Sequence, residues 1–178
     1  MKTDRPTSLF LARAAIVTVA AILSMPGNAQ APEQTPYSTP PGWSVSTYRS
    51  AGSGAFLRCS AERHYDHGLT LTVAINSAGK FVLGFTSAEW AYEDRSTHPV
   101  SIRVDSGEEM SVPGRVRVLP VFGPIVFVDL EMDSAIIPAL SAGNVLYVNS
   151  AETSLEFDLS GSAAAILDAA RCHRDGSG

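Results

Sequence analysis

The segment Arg58–His67, RCSAERHYDH, brings together residue types that bind metals or attack substrates. It holds a cysteine, two histidines and two carboxylates within ten residues. A thiol close to an imidazole can act as a nucleophile, and imidazole with carboxylate ligands suits zinc or copper. The segment therefore raises two chemical hypotheses, a nucleophile at Cys59 and a metal site.

The metal hypothesis uses His64, Asp66 and His67, with His98 or His173 completing the ligand set. Apolar alternation stops before these residues and resumes after them, so we expect a connection in which Asp and Gly favour a turn. A turn lacks the fixed ligand spacing of a helix, and no second ligand motif accompanies it. An exposed polar turn is the simpler interpretation, and a periplasmic metal-binding protein is the alternative.

The first 29 residues have the pattern of a signal peptide. Lys2, Arg5 and Arg13 precede an apolar run over residues 14–25, and small residues lead to a cleavage site after Ala29. The run of about 12 residues is shorter than the roughly 20 that span a bilayer. We expect a periplasmic or secreted protein with no membrane span after cleavage, and an uncleaved anchor is the alternative.

The charge balance excludes two classes of partner. Removing residues 1–29 from a chain with 13 basic and 18 acidic residues leaves 10 basic and 17 acidic ones. Nucleic acids and anionic lipid surfaces are bound through a basic surface, which such a chain lacks overall. We therefore expect no nucleic-acid partner.

Two cysteines, Cys59 and Cys172, are the only ones in the chain. An even number of cysteines in an exported protein predicts a disulfide. Closing a loop of more than about 100 residues stabilises a fold by up to about 4–5 kcal/mol in the chain-entropy model. An oxidised sulfur cannot attack a substrate, so this prediction opposes a nucleophilic Cys59.

The remaining chain divides into a Pro-rich tether, residues 30–42, and one β-rich domain, residues 43–178. Alternating apolar positions, clearest from Leu69 to Ile75, predict about eight strands at short spacing. In the run 115–119, Arg115 and Arg117 point one way and the valines the other. Further strands are predicted over 43–48, 55–61, 80–86, 100–105, 124–130 and the pair that follows residue 144.

Two short helices interrupt the strands, over residues 133–143 and 160–172. An apolar stripe of Ala163, Ile166, Leu167 and Ala170 is expected to face the sheet. The fold class is mostly β: an antiparallel β-sandwich or open barrel, with the C-terminal helix linked by Cys172 to the early strand that carries Cys59.

Catalytic patterns are weak. Ser162 lies at a strand-to-helix turn, but Ala164 stands where a nucleophile elbow requires glycine, and helix capping is the better role for this serine. Asp168 and His173 belong to the same helix region, so no converging triad is predicted. We expect no enzyme activity and no cofactor, and a hydrolase with an unrecognised site is a further alternative.

The segment Ser87–Pro99 is too long for a tight turn and holds Trp90 and Tyr92 among charged residues. Aromatic side chains in loops are typical of recognition surfaces. The alternative is that both rings close one open end of the core. Trp90 and Tyr92 are thus candidate partner-binding residues.

The order of landmarks resembles the invasion-associated locus B family of exported alphaproteobacterial proteins. The similar features are Trp43-Ser-Val45, a cysteine on the next strand, ALSAGNVLYV over residues 139–148 and FDLSGSAAAIL over residues 157–167. Family members carry additional cysteines in the middle of the domain, which this chain lacks. The resemblance implies an envelope β domain associated with host interaction in some members, and supplies no catalytic residues.

Together these observations predict a non-enzymatic periplasmic or envelope protein that binds another protein or envelope component. The metal-binding protein and the hydrolase are its alternatives.

Overall fold

The computed structural model describes residues 31–87, 90–119, 123–150 and 153–177, so the predicted signal peptide lies outside the described residues. Ten strands, two helices and a short 3₁₀ turn at Asp66–Gly68 are assigned there. In chain order they are β1 (Glu33–Ser38), β2 (Ser44–Arg49), β3 (Phe56–His64), β4 (Thr70–Asn76), β5 (Phe81–Thr86), β6 (Thr97–Val104), β7 (Met110–Leu119), β8 (Gly123–Leu130), α1 (Ile136–Ala142), β9 (Val145–Ser150), β10 (Ser154–Asp158) and α2 (Ser162–Gly176).

All ten strands belong to one antiparallel sheet with the order β1-β2-β3-β4-β5-β8-β7-β6-β9-β10. Alternating apolar residues fix the register, so that Leu71, Val73 and Ile75 of β4 lie opposite Phe85, Leu83 and Phe81 of β5. The mostly-β antiparallel class is confirmed, with ten strands where about eight are predicted.

The segment predicted as a tether contains β1. This strand pairs with β2 along its length, with Pro36 opposite Ser46. Its side chains also reach α2, since Tyr37 Oη donates to Asp175 Oδ2 at 2.7 Å and Ser38 Oγ donates to Asp168 Oδ2 at 2.7 Å. Pairing with β2 and hydrogen bonds to α2 thus hold β1 in place as a strand, which its polar, proline-containing sequence does not indicate.

Strand β7 is one continuous strand, whereas alternation predicts two short runs there, over residues 110–112 and 115–119. Pro113 lies opposite Pro99 of β6 without ending the strand. Gly114 is tightly enclosed, because a Cβ there would collide with side-chain carbons of Val100 and Val126. Because glycine has no side chain, β7 can pack closely against Val100 and Val126 at this position without being interrupted.

One side of the sheet forms the core. Large side chains with less than 2% exposure include Phe85, Phe157, Leu71, Leu83 and Ile102. Helix α2 packs on β2, β3 and β4, and α1 packs on α2 and β6. Among the described residues, no helix is long and apolar enough to cross a bilayer.

The helices differ in detail from the prediction. Helix α1 begins at Ile136, three residues after the predicted Asp133 start, and includes Pro138 in its first turn. The buried face of α2 is formed by Ala165, Ile166, Ala169 and Cys172, whereas Leu167 is 50% exposed. Residues spaced three and four apart from Cys172 face the sheet because the disulfide fixes the rotation of the helix.

The sheet curls until its last strand meets its third. Arg63 Nη2 pairs with Asp158 Oδ2 at 2.6 Å, and Tyr65 Oη donates to the Asp158 carbonyl at 2.7 Å. Trp43 Nε1 and Arg63 Nη1 both donate to the Ser160 carbonyl, at 3.0 and 2.7 Å. Side chains, rather than a strand ladder, thus close this seam of the curled sheet.

Candidate functional site

The disulfide prediction is confirmed. Cys59 of β3 and Cys172 of α2 are bonded, with their Cα atoms 6.0 Å apart and a sequence separation of 113. Both residues are fully buried, and the Thr47 hydroxyl lies 3.2 Å from Cys172 Sγ. Cys59 therefore carries no free thiol in this structure, and its sulfur cannot act as the nucleophile of that hypothesis.

The histidine-rich turn does not gather a ligand set. His64 Nδ1 lies 3.0 Å from Thr70 Oγ1, and His67 has a left-handed φ of 60° in the 3₁₀ turn. His98 stacks on Tyr92 and His173 on Phe56, so neither joins the turn. In the described part of the chain, no group of three or more His, Cys, Asp or Glu side chains is placed to hold a metal ion.

Ser162 has a packing role that the sequence analysis does not predict. Its side chain is buried, and its Oγ donates to the Leu140 carbonyl of α1 at 2.7 Å. Gly161, with φ 83°, occupies the N-cap position instead. The serine therefore joins the two helices and does not cap α2.

Two tyrosines on the sheet have strongly raised pKa values because they are packed among side chains. Burial, followed by the charge and hydrogen bond of Glu62, raises the pKa of Tyr48 to about 12. Its hydroxyl donates to Glu62 Oε1 at 3.0 Å, and the Arg58 guanidinium lies 4.0 Å from its ring centroid. Burial raises the pKa of Tyr65, at the seam, to about 12. Both phenols stay protonated at neutral pH and act as hydrogen-bond donors.

A cleft of about 310 Å³ lies between the start of α1 and the β6–β7 turn. Its apolar walls include Met110 and Ile136, and the exposed residues Glu108 and Glu109 line its rim. Both carboxylates are exposed to solvent. Among the described residues that line the cleft, no nucleophile is hydrogen-bonded to a base, as a catalytic site would require.

The segment Ser87–Pro99 turns its aromatic rings inward. Trp90 and Tyr92 are 7% and 6% exposed and join the core cluster, with ring centroids 5.4 Å apart. The Tyr92 hydroxyl lies 2.5 Å from Ser150 Oγ, and Trp90 Nε1 is buried with no hydrogen-bond partner among the described residues. In this structure the two rings close the core, the alternative that the sequence analysis leaves open for them.

The charged tip of the same segment faces outward and is fastened to β7. The Arg95 amide donates to the Val116 carbonyl at 3.1 Å, and the Val118 amide donates to Asp94 Oδ1 at 3.0 Å. Arg95 itself pairs loosely with Asp94, at 3.5 Å, and its side chain is 78% exposed. The tip therefore extends the surface of β7 by another arginine.

Beside this tip, β7 presents two exposed arginines away from the core. Val116 is buried, so Arg115 and Arg117 on either side of it point to the opposite, helix-free side. Arg115 Nη2 pairs with Asp129 Oδ2 at 2.5 Å. Among the described residues, no carboxylate forms an ion pair with Arg117.

An apolar row on β8 borders these arginines. Phe127 lies opposite Arg115, and Ile125 lies opposite Arg117. The Phe127 ring occupies the space above Gly84 of β5, where a Cβ would be 3.4 Å from Cε1 of the ring. We call Arg115, Arg117, Ile125 and Phe127 the arginine face. It combines exposed cationic groups with half-buried apolar side chains on a chain whose net charge is −5.

The sequence indicated the outward direction of Arg115 and Arg117 by alternation alone. It did not indicate their surroundings, because the pairing of β7 with β8 and the position of the 94–95 tip depend on long-range contacts.

The architecture is a curled antiparallel sheet with a disulfide-bonded terminal helix, and its overall fold is similar to that of a solved structure. The crystal structure of invasion associated protein B from Bartonella henselae is similar, with a TM-score of 0.55 and 20% sequence identity over 82% of this chain and 99% of that chain. At this identity the similarity establishes a common fold, as the order of landmarks implied. No family model and no curated protein matches the chain.

Proposed function

We propose that this chain is an exported, disulfide-bonded accessory protein that binds a partner in the envelope or outside the cell, without catalysis. The observation that carries the proposal is the arginine face. An otherwise acidic chain places Arg117, exposed and without an ion pair in the described structure, on the side of the sheet that neither helix covers. Exposed arginines beside apolar side chains are typical of protein-binding surfaces.

The candidate catalytic groups support a binding role. Cys59 is oxidised, Ser162 donates to a backbone carbonyl, and His98 and His173 pack against aromatic rings. His98 Nε2 also lies 2.9 Å from Ser96 Oγ, but that hydroxyl donates to the Glu93 carbonyl. In the described part of the chain, no carboxylate is hydrogen-bonded to His98 as the third group of a triad.

The disulfide and the shared fold support export and a role in host contact. Disulfides persist in oxidising compartments outside the cytosol. The structural neighbour is named invasion associated protein B, which links that protein to invasion. For this chain we propose the corresponding accessory role, in which the arginine face contacts the partner.

Photo-crosslinking in cells that produce the protein tests this proposal. Leu119 continues the row of Arg115 and Arg117 and is 39% exposed, while Leu167 is 50% exposed on α2. A photoreactive amino acid at position 119 should give a discrete adduct, and the same group at position 167 should not. Absence of an adduct at 119, or the same adduct from both positions, would contradict a partner surface at this place.

A further inference from the structure

We infer that the partner of the arginine face is an extended acidic polypeptide segment with carboxylates on alternate residues. This inference rests on the proposed binding function and adds the chemistry of the partner. It starts from the position of Arg115 and Arg117 two residues apart on one strand, with both side chains on the exposed side.

The spacing of the two guanidinium groups suits an extended chain. Strand residues two apart are separated by about 7 Å and point to the same side. An extended peptide that lies along β7 presents its own alternate side chains at the same interval. Acidic residues at its first and third positions therefore meet Arg115 and Arg117 in register, each as a carboxylate facing a planar guanidinium that can donate two hydrogen bonds.

The two arginines have unequal roles. Asp129 already orients Arg115 through the 2.5 Å ion pair. A ligand carboxylate at this position must share the Arg115 guanidinium with Asp129, so the binding free energy that this contact contributes is reduced. Arg117 has no such competitor among the described carboxylates, and replacing it should weaken binding more than replacing Arg115.

The neighbouring apolar groups favour a polypeptide over a layer of charged headgroups. Leu119 lies two residues beyond Arg117 in the same row, and Ile125 lies opposite Arg117 on β8. An apolar side chain two positions after the acidic pair would cover Leu119 and Ile125. The expected motif is thus acidic, any residue, acidic, any residue, apolar.

The 94–95 tip lies beside β7, since the Arg95 amide donates to the Val116 carbonyl and the Val118 amide donates to Asp94 Oδ1. The exposed Arg95 guanidinium pairs with Asp94 at 3.5 Å. Arg115 and Arg117 are therefore the cations of the face that attract an acidic segment before contact.

The test uses the exported, processed protein and a fluorescent five-residue peptide with glutamates at positions 1 and 3 and leucine at position 5, flanked by serine and glycine. Its isomer places the glutamates at positions 1 and 2, so that in an extended chain they point to opposite sides. Fluorescence anisotropy at low salt should show tighter binding of the alternating peptide. Equal binding of the two peptides, or binding of neither, overturns the inference.

Matched charge reversals identify the surface. Arg117→Glu should weaken binding of the alternating peptide by about tenfold, as expected when one of two facing ion pairs becomes repulsive. Arg174→Glu changes the net charge equally but lies on α2, exposed and without an ion pair among the described residues, and should leave binding unchanged. An equal loss in both variants would reveal a net-charge effect and contradict the site.

A third arm separates failure of this inference from failure of the proposed function. Vesicles of phosphatidylglycerol and phosphatidylcholine are added to wild-type protein and to Arg117→Glu. Binding of vesicles but not peptide, lost in Arg117→Glu, would overturn the polypeptide partner while keeping the arginine face as a binding surface. Under the inference, the vesicles compete weakly and the peptide binds.

Discussion

Arg63 on the third strand of the sheet and Asp158 at the end of the last strand form an ion pair of 2.6 Å. Arg63 also donates to the Ser160 carbonyl, and its side chain is 18% exposed. This arginine therefore joins two strands that are far apart in the sheet order, and the seam depends on it.

Replacing Arg63 by alanine should lower the free energy of unfolding by about 1–2 kcal/mol, because the hydrogen bond to the Ser160 carbonyl and the ion pair with Asp158 are lost at a partly exposed site. Urea unfolding at neutral pH measures the change. Arg174→Ala, on the exposed side of α2, is the control and should leave the midpoint unchanged. A wild-type midpoint for Arg63→Ala would show that the seam adds no stability.

The same seam should make stability depend on acid. Hydrogen bonds from Ser160, followed by the charge of Arg63, lower the pKa of Asp158 below its ordinary value of 3.8. The stabilisation is present above the ordinary pKa and is lost as the pH falls through the lowered one. Asp158→Asn should thus be less stable than wild type at pH 7, and the difference should shrink by pH 3.

Urea midpoints at the two pH values measure this difference. Glu156→Gln, a carboxyl removal on the same face of β10, serves as the control, because Glu156 is exposed and has no ion pair among the described residues. A constant difference for Asp158→Asn across this pH range would contradict the assignment.

Reducing the Cys59–Cys172 bond should destabilise the fold by about 4 kcal/mol, since it frees a loop of more than 100 residues in the unfolded chain. Urea unfolding of the oxidised and the fully reduced protein measures the effect, with thiol content verified by mass. The Cys59→Ser/Cys172→Ser variant should behave like the reduced protein. Identical midpoints in all three forms would mean that packing alone holds α2.

Gly161 should tolerate no side chain. Its φ is 83°, and a Cβ there would collide with the Pro41 carbonyl oxygen. We expect Gly161→Ala to cost about 1–3 kcal/mol, from a strained backbone and a displaced loop before β2. Gly52→Ala is the matched control, because nothing lies within 4 Å of its added carbon. Equal thermal midpoints for the two variants would contradict this explanation.

Trp90 should act as a core residue. Because its side chain is buried, Trp90→Ala should destabilise the protein by about 3–5 kcal/mol. Trp90→Phe should be milder, because Nε1 makes no hydrogen bond within the described structure that the substitution would remove. Denaturant unfolding distinguishes these values, and an alanine variant as stable as wild type would instead indicate a surface role for this tryptophan.

The sequence predicted those parts of the fold in which local pattern and tertiary structure agree. The alternation of Leu71, Val73 and Ile75 gave both the strand and its buried side. Strand β1 was not predicted, because EQTPYS has no buried residue. Its strand conformation depends on pairing with β2 and on side-chain contacts with α2. The predicted rotation of α2 was wrong. Its small alanines allow more than one apolar stripe, and the disulfide at Cys172 decides which side of the helix faces the sheet.

The site was harder to predict than the fold. Whether Trp90 and Tyr92 face the core or the solvent depends on tertiary contacts. Tyr92 contacts Ser150, which is far away in sequence, and His98, whose orientation the sequence does not indicate. The exposed direction of Arg117 followed from alternation with Val116. That no carboxylate of the described residues pairs with Arg117 did not follow, because it depends on where each carboxylate lies in the folded chain.

The bond between Cys59 and Cys172 also imposes an order of events on biosynthesis. In a chain made from its N-terminus, Cys59 waits while 113 further residues are added. At typical ribosomal rates this takes about 6–20 s. During that interval Cys59 lacks its native partner, so the native cross-link can form only after the final helix has been made and the chain has reached an oxidising compartment.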